Sequence, residues 1–147
     1  MGEVVSLTRI IAVVEIAEAV ISGCYAWYEY YQSIQQAESD IIAILGNAFT
    51  LKSVLADLHT PVKENAESPK HGFSENASLE KSLKSCEEVL KKVIEKLGIA
   101  TTSDGQVTVT VPNKLTWRVK RDEIKRMTQT LEEHKSTFIL ALSQAIF

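Results

Sequence analysis

The segment Val4–Ile21 is almost entirely apolar, and this feature most limits what the chain can fold into. Thr8, Glu15, Glu18 and Ser22 fall within an arc of about 80° when the segment is plotted at the helical period. The remaining, apolar surface of such a helix must be buried against other apolar side chains. The chain has 147 residues, the size of one domain, so the segment is predicted to be a helix with a narrow polar strip, packed in the middle of the other helices or in a groove between them.

Four long helical patterns are predicted in all. The first runs from about Val4 to Gln36, and Gly23 is a candidate break within it. The second runs from about Ser39 to His59 and is expected to stop at Pro61. In the last three patterns the apolar residues recur at gaps of three and four, as on one helix face. Their seams are Ile41, Ile44, Ala48, Leu51, Leu55 and Leu58; Leu79, Leu83, Cys86, Leu90, Val93 and Leu97; and Ile124, Met127, Leu131, His134, Phe138, Ala141 and Ala145.

Two segments between the helices have a different character. Residues 61–77 are rich in proline, serine and asparagine and are predicted to be a long loop. Within residues 99–113, the run Val107–Val111 alternates as a strand does, and Ser103–Gly105 is a candidate turn before it. One short strand or small hairpin does not make a sheet protein. The predicted fold is therefore an all-α bundle of four to five helices, in a single domain covering residues 1–147.

The third and fourth helices have recognisable ends. Ser78 is the predicted N-cap of the third helix, and Gly98 is its predicted C-terminal stop. The fourth helix is predicted to begin at about Arg118 and to continue to near residue 147.

The sequence offers no pattern that points to catalysis. The glycines are isolated, so no phosphate-binding loop is predicted. The histidines lack the spacing of metal ligands on one helix face, and His134 is expected to pack in the last seam. Cys24 and Cys86 are predicted to be buried thiols in a reducing, intracellular compartment. We therefore expect no enzyme activity, no cofactor and no metal site.

The apolar first helix has two interpretations. Arg9, Glu15 and Glu18 argue against a permanent membrane span. The helix is either only a core element, or it also enters a membrane after release from the bundle, since its length of about 28 Å approaches a bilayer core. Several copies would then turn their acidic strips toward water. The predicted membrane-insertion residues are Val4, Val5, Leu7, Ile10, Ile11, Val13, Val14, Glu15, Ile16, Glu18, Val20 and Ile21.

A basic cluster surrounds the start of the last helix. A solvated face is its ordinary explanation, and attraction to anionic lipid headgroups is the functional alternative. Nucleic acid is not expected, because the net charge is -3 and no interleaved aromatic platform accompanies the cluster. The candidate headgroup contacts are Lys114, Arg118, Lys120, Arg121, Lys125 and Arg126.

Several of these patterns occur together in one known family. Over nearly its whole length the chain resembles the fungal N-terminal domain of STAND proteins, the HeLo-like group at the front of fungal NOD-like receptors. The segments that carry the resemblance are Ile10–Ala17 with the aromatic residues that follow Gly23, Ile41–Leu45, Leu51–Leu58, Leu115–Trp117, Lys125–Met127 and Leu131–Phe138.

The resemblance implies a membrane-permeating cell-death domain of fungal incompatibility and innate immunity. Val4–Ile21 would be the attacking helix, with Glu15 and Glu18 as candidate lumen-facing acids. It further implies self-association on activation, movement from the cytoplasm to the plasma membrane, and a NOD-like receptor partner or downstream domain. The alternative is a protein-binding signalling module that never enters lipid. A strand at residues 107–111 is not expected from the family.

Overall fold

A computed structural model of the chain describes residues 2–27, 37–67, 77–110 and 114–146. These residues form four α-helices and a two-stranded antiparallel sheet, which confirms the predicted all-α bundle with a short strand excursion. In chain order the elements are α1 (Gly2–Trp27), α2 (Ala37–Glu67), α3 (Ala77–Lys96), β1 (Ile99–Thr101), β2 (Val107–Val109) and α4 (Lys114–Ile146).

The four helices pack as a ring. α1 packs against α2 and α3, and α4 packs against the same two helices. α1 and α4 therefore lie at opposite corners, as do α2 and α3, and the hairpin lies against α1. Of the two predicted positions for α1, the middle of the bundle or a groove, the structure has the groove, because two helices and a small hairpin cover α1 and leave one edge open.

The predicted seams form the core. Every seam residue of α2 and α3 is buried, and so are Ile124, Met127, Leu131 and Phe138 of α4. α4 begins at Lys114, about one turn before the predicted start. This extra turn brings the buried Trp117 into the core, where its ring lies 5.1 Å from that of Trp27.

An ion pair crosses each of the four helix contacts. Such pairs help to fix which polar edges meet, although each one adds little stability near the surface. The pairs are Glu18–Lys52 between α1 and α2, Arg9–Glu87 between α1 and α3, Asp40–Arg121 between α2 and α4, and Lys96–Glu123 between α3 and α4.

The hairpin joins α3 to α4. Its register places Ile99 opposite Val109 and Thr101 opposite Val107. Gly98 ends α3 with a φ of 65°, as predicted for a helix stop. The predicted turn at 103–105 is confirmed, and within it the Thr102 hydroxyl donates a hydrogen bond to the Asp104 carboxylate.

Three further predicted boundaries differ from the structure. α2 continues through Pro61 to Glu67, because Val62 is fully buried one turn after Leu58 and extends the apolar seam past the proline. The predicted loop therefore begins at least one turn later than residue 61, and residues 68–76 lie outside the described ranges. α1 runs through Gly23 without a break. α3 begins at Ala77, so Ser78 lies within its first turn instead of capping it.

Candidate functional site

The open edge of α1 is the main candidate site. Thr8, Glu15, Glu18 and Ser22 all lie on this edge and are exposed, which confirms the position of the predicted polar strip. Ile11 belongs to the same edge with 49% of its surface exposed. The edge is thus acidic and hydroxylated, with apolar side chains interrupting it.

The opposite side of α1 is buried in the bundle. Of the predicted insertion residues, Leu7, Val14 and Ile16 are half-buried, and Glu15, Glu18 and Ile11 are exposed. Val4 and Val5 lie in the first turn of α1, and their side chains lie outside the described residues. The buried members are Ile10, Val13, Val20 and Ile21.

The two acids of the edge have different surroundings. Glu18 Oε1 lies 3.3 Å from Lys52 Nζ of α2, in a pair whose two side chains are each about half exposed. Glu15 is exposed, and within the described ranges no ion pair includes it. Water therefore reaches both carboxylates while α1 stays in the bundle.

Two polar contacts attach α1 to α3. Arg9 Nη1 donates a hydrogen bond of 2.6 Å to Glu87 Oε2, and Glu87 also pairs with Lys91 at 3.3 Å. At the other end of α1, Trp27 Nε1 donates a buried hydrogen bond of 2.9 Å to the carbonyl oxygen of Leu97, at the end of α3. Sequence reasoning missed both contacts, because the partners are 70 or more residues apart.

Close packing also holds α1 against the hairpin. A Cβ atom built on Gly23 would lie 2.3 Å from Ile99 Cδ1, so only glycine lets β1 approach the helix this closely. Gly23, which the sequence suggested as a break, instead serves as the contact point between α1 and β1.

An aromatic surface lies beside the open edge. The ring of Tyr25 meets that of Phe49 of α2 edge to face, with centroids 6.4 Å apart. Ile42 of α2 is exposed as well. The sequence predicted aromatic residues near this end of α1, and of these Trp27 is buried and Tyr25 is exposed, while residues 28–36 lie outside the described ranges.

The six predicted headgroup residues on α4 differ in their exposure and contacts. Arg118, Lys125 and Arg126 are exposed, and Lys120 is half-buried. Arg121 Nε lies 3.1 Å from Oδ2 of the buried Asp40, so this arginine is used inside the bundle. The Lys114 side chain lies outside the described residues. Three of the six candidates thus form an exposed basic patch on the outer side of α4.

The remaining candidate ligands are used in packing. Burial raises the pKa of the Cys24 and Cys86 thiols to about 12, and Glu87 adds to the effect at Cys86. His134 Nε2 lies 3.1 Å from Ser85 Oγ, and the His134 ring stacks on Phe138 with centroids 6.3 Å apart. Among the described residues no cluster of three His, Cys, Asp or Glu side chains could hold a metal ion.

Within the described ranges, two helices are long and apolar enough to cross a membrane. Leu7–Trp27 has a mean hydropathy of 1.7, and Ala37–Glu64 has 1.6. In each case 44% of the most apolar stretch is buried, and the core helix of a folded bundle can reach the same values. Comparison of the chain with protein-family models, curated proteins and solved structures finds no match.

Proposed function

We propose that this bundle is an effector domain of the HeLo-like kind, which self-associates and permeabilises membranes through α1. The proposal rests on one observation. The span Leu7–Trp27 of α1, apolar enough to cross a membrane, carries its two acids, Glu15 and Glu18, on a single open edge. The family resemblance of the sequence supports the same function.

The edge suits two environments. In the bundle, water solvates the acids while α2 and α3 cover much of the apolar surface. In a bilayer, the 21 residues of Leu7–Trp27 would span about 32 Å, close to the hydrocarbon thickness. Carboxylates persist at that depth only when they face water or a partner. Several copies of α1 would meet this condition by turning Glu15 and Glu18 toward a shared aqueous path.

α2 is the less suitable candidate for insertion. Its apolar stretch includes Pro61 and the buried Asp40, and Asp40 pairs with Arg121 of α4. Each of the two helices packs against two others, so the difference between them lies in Pro61 and in the Asp40 ion pair.

Dye release from vesicles tests the proposal. The full chain is added to phosphatidylcholine vesicles with and without phosphatidylserine, and release is followed by fluorescence. We expect the wild-type chain to cause release and Glu15→Ala with Glu18→Ala to abolish it. The matched control is Glu88→Ala with Glu95→Ala, which removes two exposed acids from α3 and should leave release unchanged.

A protein-binding module is the second candidate, and the aromatic surface of Tyr25, Ile42 and Phe49 favours it. Exposed apolar groups of this kind mark contact sites on other proteins. Self-association without dye release at any lipid composition would support this function over permeabilisation. If the Glu15/Glu18 variant released as much dye as the wild type, the role proposed for these two acids in permeabilisation would be contradicted.

The setting of this activity is part of the proposal. The domain would reside in the cytoplasm and move to the plasma membrane on activation. A NOD-like receptor, either as a partner or as a downstream domain, would bring the copies together. Arg118, Lys125 and Arg126 are exposed and could add attraction to anionic headgroups.

A further inference from the structure

The outer face of α4 has a charge pattern of its own. Its exposed residues fall into three rows in which members are seven residues apart, so that each row runs along one side of the helix. The first lateral row is Arg118, Lys125, Glu132 and Ile139, and the second is Val119, Arg126, Glu133 and Leu140. The central row, between them, is Asp122, Gln129 and Ser136. We call these three rows the α4 outer face.

Both lateral rows carry a basic residue in their second position, an acidic residue one heptad later and an apolar residue at the end. They differ in the first position, which is Arg118 in one row and Val119 in the other. Val119 and Leu140 are among the most exposed apolar residues of the described chain, at 77% and 61%. No ion pair within the described ranges uses Lys125, Arg126, Glu132 or Glu133.

This order is complementary to itself when two copies meet in opposite directions. In an antiparallel helix pair centred on Gln129, lateral positions face positions of the same row on the partner helix. Lys125 then faces Glu132, and Arg126 faces Glu133. Because a two-fold axis repeats each contact, two lateral rows give four ion pairs between the copies.

The ends and the centre of the face match in the same register. In one row Val119 faces Leu140, so each end of the contact gains an apolar pair, and in the other row Arg118 faces the apolar Ile139. Asp122 faces Ser136, and Gln129 faces its own copy, so no like charges oppose each other. Gln129 and Ser136, with the two glutamates, already border a shallow open depression at the middle of the face.

We propose that the α4 outer face is a two-fold docking surface for a second copy of this chain. The proposal deepens the self-association named under the proposed function and is tested in solution without lipid, so either can fail alone. Exposed ion pairs contribute little each and are screened by salt. The expected dimer is therefore weak and weakens further as salt rises.

Charge reversal tests the pairing. Sedimentation equilibrium of the full chain at low salt should show a dimer. We expect Lys125→Glu with Arg126→Glu to raise the dissociation constant by at least about tenfold, and Glu132→Lys with Glu133→Lys to do the same, because each creates four like-charge contacts. Mixing the two variants should restore association as a heterodimer, since every contact again joins opposite charges.

The quadruple variant, which carries both charge reversals, should also dimerise, because its basic and acidic positions are exchanged and every contact still joins opposite charges. Lys84→Glu with Lys92→Glu on the exposed side of α3 is the matched control and should dimerise as the wild type does. A wild-type chain that stays monomeric to about 1 mM overturns the proposal. Failure of the mixed variants to associate overturns it too, as does a basic variant that dimerises as tightly as the wild type.

A cross-link provides a second readout. Gln129 lies at the two-fold axis, so Gln129→Cys should form a disulfide between copies under mild oxidation. Cys24 and Cys86 are buried and should not compete. Glu88→Cys places an equally exposed thiol on α3 as a control. A dimer band of equal yield for both variants on a non-reducing gel contradicts the assigned surface.

Discussion

Arg9 of α1 and Glu87 of α3 lie 2.6 Å apart, Nη1 to Oε2, across an interface in which neither side chain is more than 28% exposed. Arg9 Nε is buried nearby with no hydrogen-bond partner among the described residues. Removing the carboxylate would leave a largely desolvated guanidinium without its counter-charge. This pair is therefore the polar contact of α1 whose loss should affect the bundle most.

We expect Glu87→Ala to lower the free energy of unfolding by about 1–3 kcal/mol, because the half-buried charge of Arg9 loses its partner. Chemical denaturation followed by circular dichroism measures the change. The neighbouring Glu88 is exposed, and Glu88→Ala should change stability by less than about 0.5 kcal/mol. Equal effects of the two substitutions would show that the Arg9–Glu87 pair contributes nothing beyond an exposed charge.

Two helical glycines should respond to alanine in opposite directions. At Gly23 a new Cβ would meet Ile99 Cδ1 and Cγ1 at 2.3 and 2.5 Å, whereas at Gly46 nothing lies within 4 Å. Alanine favours a helix over glycine by about 1 kcal/mol. Gly46→Ala should therefore stabilise the fold by about 0.5–1 kcal/mol, and Gly23→Ala should destabilise it by about 1–2 kcal/mol through overpacking. Thermal unfolding of both variants checks the sign, and stabilisation by Gly23→Ala would mean that α1 and β1 separate easily.

The core could be predicted from the sequence, because burial follows helical periodicity directly. Gaps of three and four identified every buried apolar position of α2 from Ile41 to Leu58, although not the buried Asn47. The same helical period placed Glu15 and Glu18 on an open edge. Local chemistry also identified the turn at 103–105 and the stop at Gly98. These features depend only on residues that are close in the chain.

The rest depends on contacts between distant segments. The pairing of Asp40 with Arg121 joins residues 81 apart in sequence, so Arg121 looked like one more surface cation. Proline was expected to end α2, and the burial of Val62 outweighed that local preference. The exposure of Tyr25 could not be foreseen either, because an apolar segment gives no sign of which edge its neighbours leave open.

The end of α3 should tolerate no side chain at Gly98. Its φ of 65° disfavours other residues, and a Cβ would lie 2.5 Å from the carbonyl oxygen of Thr110, which is backbone and cannot turn away. Gly105 also has a positive φ, of 87°, but nothing lies near its Cβ position. We expect Gly98→Ala to cost about 2–4 kcal/mol and Gly105→Ala only about 1 kcal/mol, as measured by denaturant unfolding. Equal losses would mean that the contact with Thr110 relaxes freely.

The two cysteines should react slowly in the folded chain. Burial raises the pKa of both thiols to about 12, so at pH 8 very little of the reactive thiolate is present. Modification by Ellman's reagent should be on the order of a thousandfold slower than for a solvated thiol. It should become fast only in denaturant, where Cys24 and Cys86 are exposed. Rapid native modification of Cys24 alone would show that α1 leaves the bundle frequently.

His134 should make the fold less stable in acid. Burial lowers the pKa of His134 below its usual value of 6.5, and the nearby Glu133 offsets part of the effect. The unfolded chain therefore binds a proton more readily than the folded chain, and stability falls as pH drops through 6.5 and the lowered folded-state value. Above pH 6.5 His134 makes its full contribution to the stability of the fold, since its neutral ring contacts Ser85 and Phe138.

Denaturation curves of the wild type and of His134→Gln between pH 8 and pH 5 measure this contribution. The difference in free energy of unfolding between the two chains should change in this interval, with the wild type losing more stability toward low pH. Other groups titrate equally in both chains, so the difference isolates His134. A constant difference would indicate that the ring has the same proton affinity in the folded and unfolded chains, and that its contact with Ser85 does not depend on the neutral form.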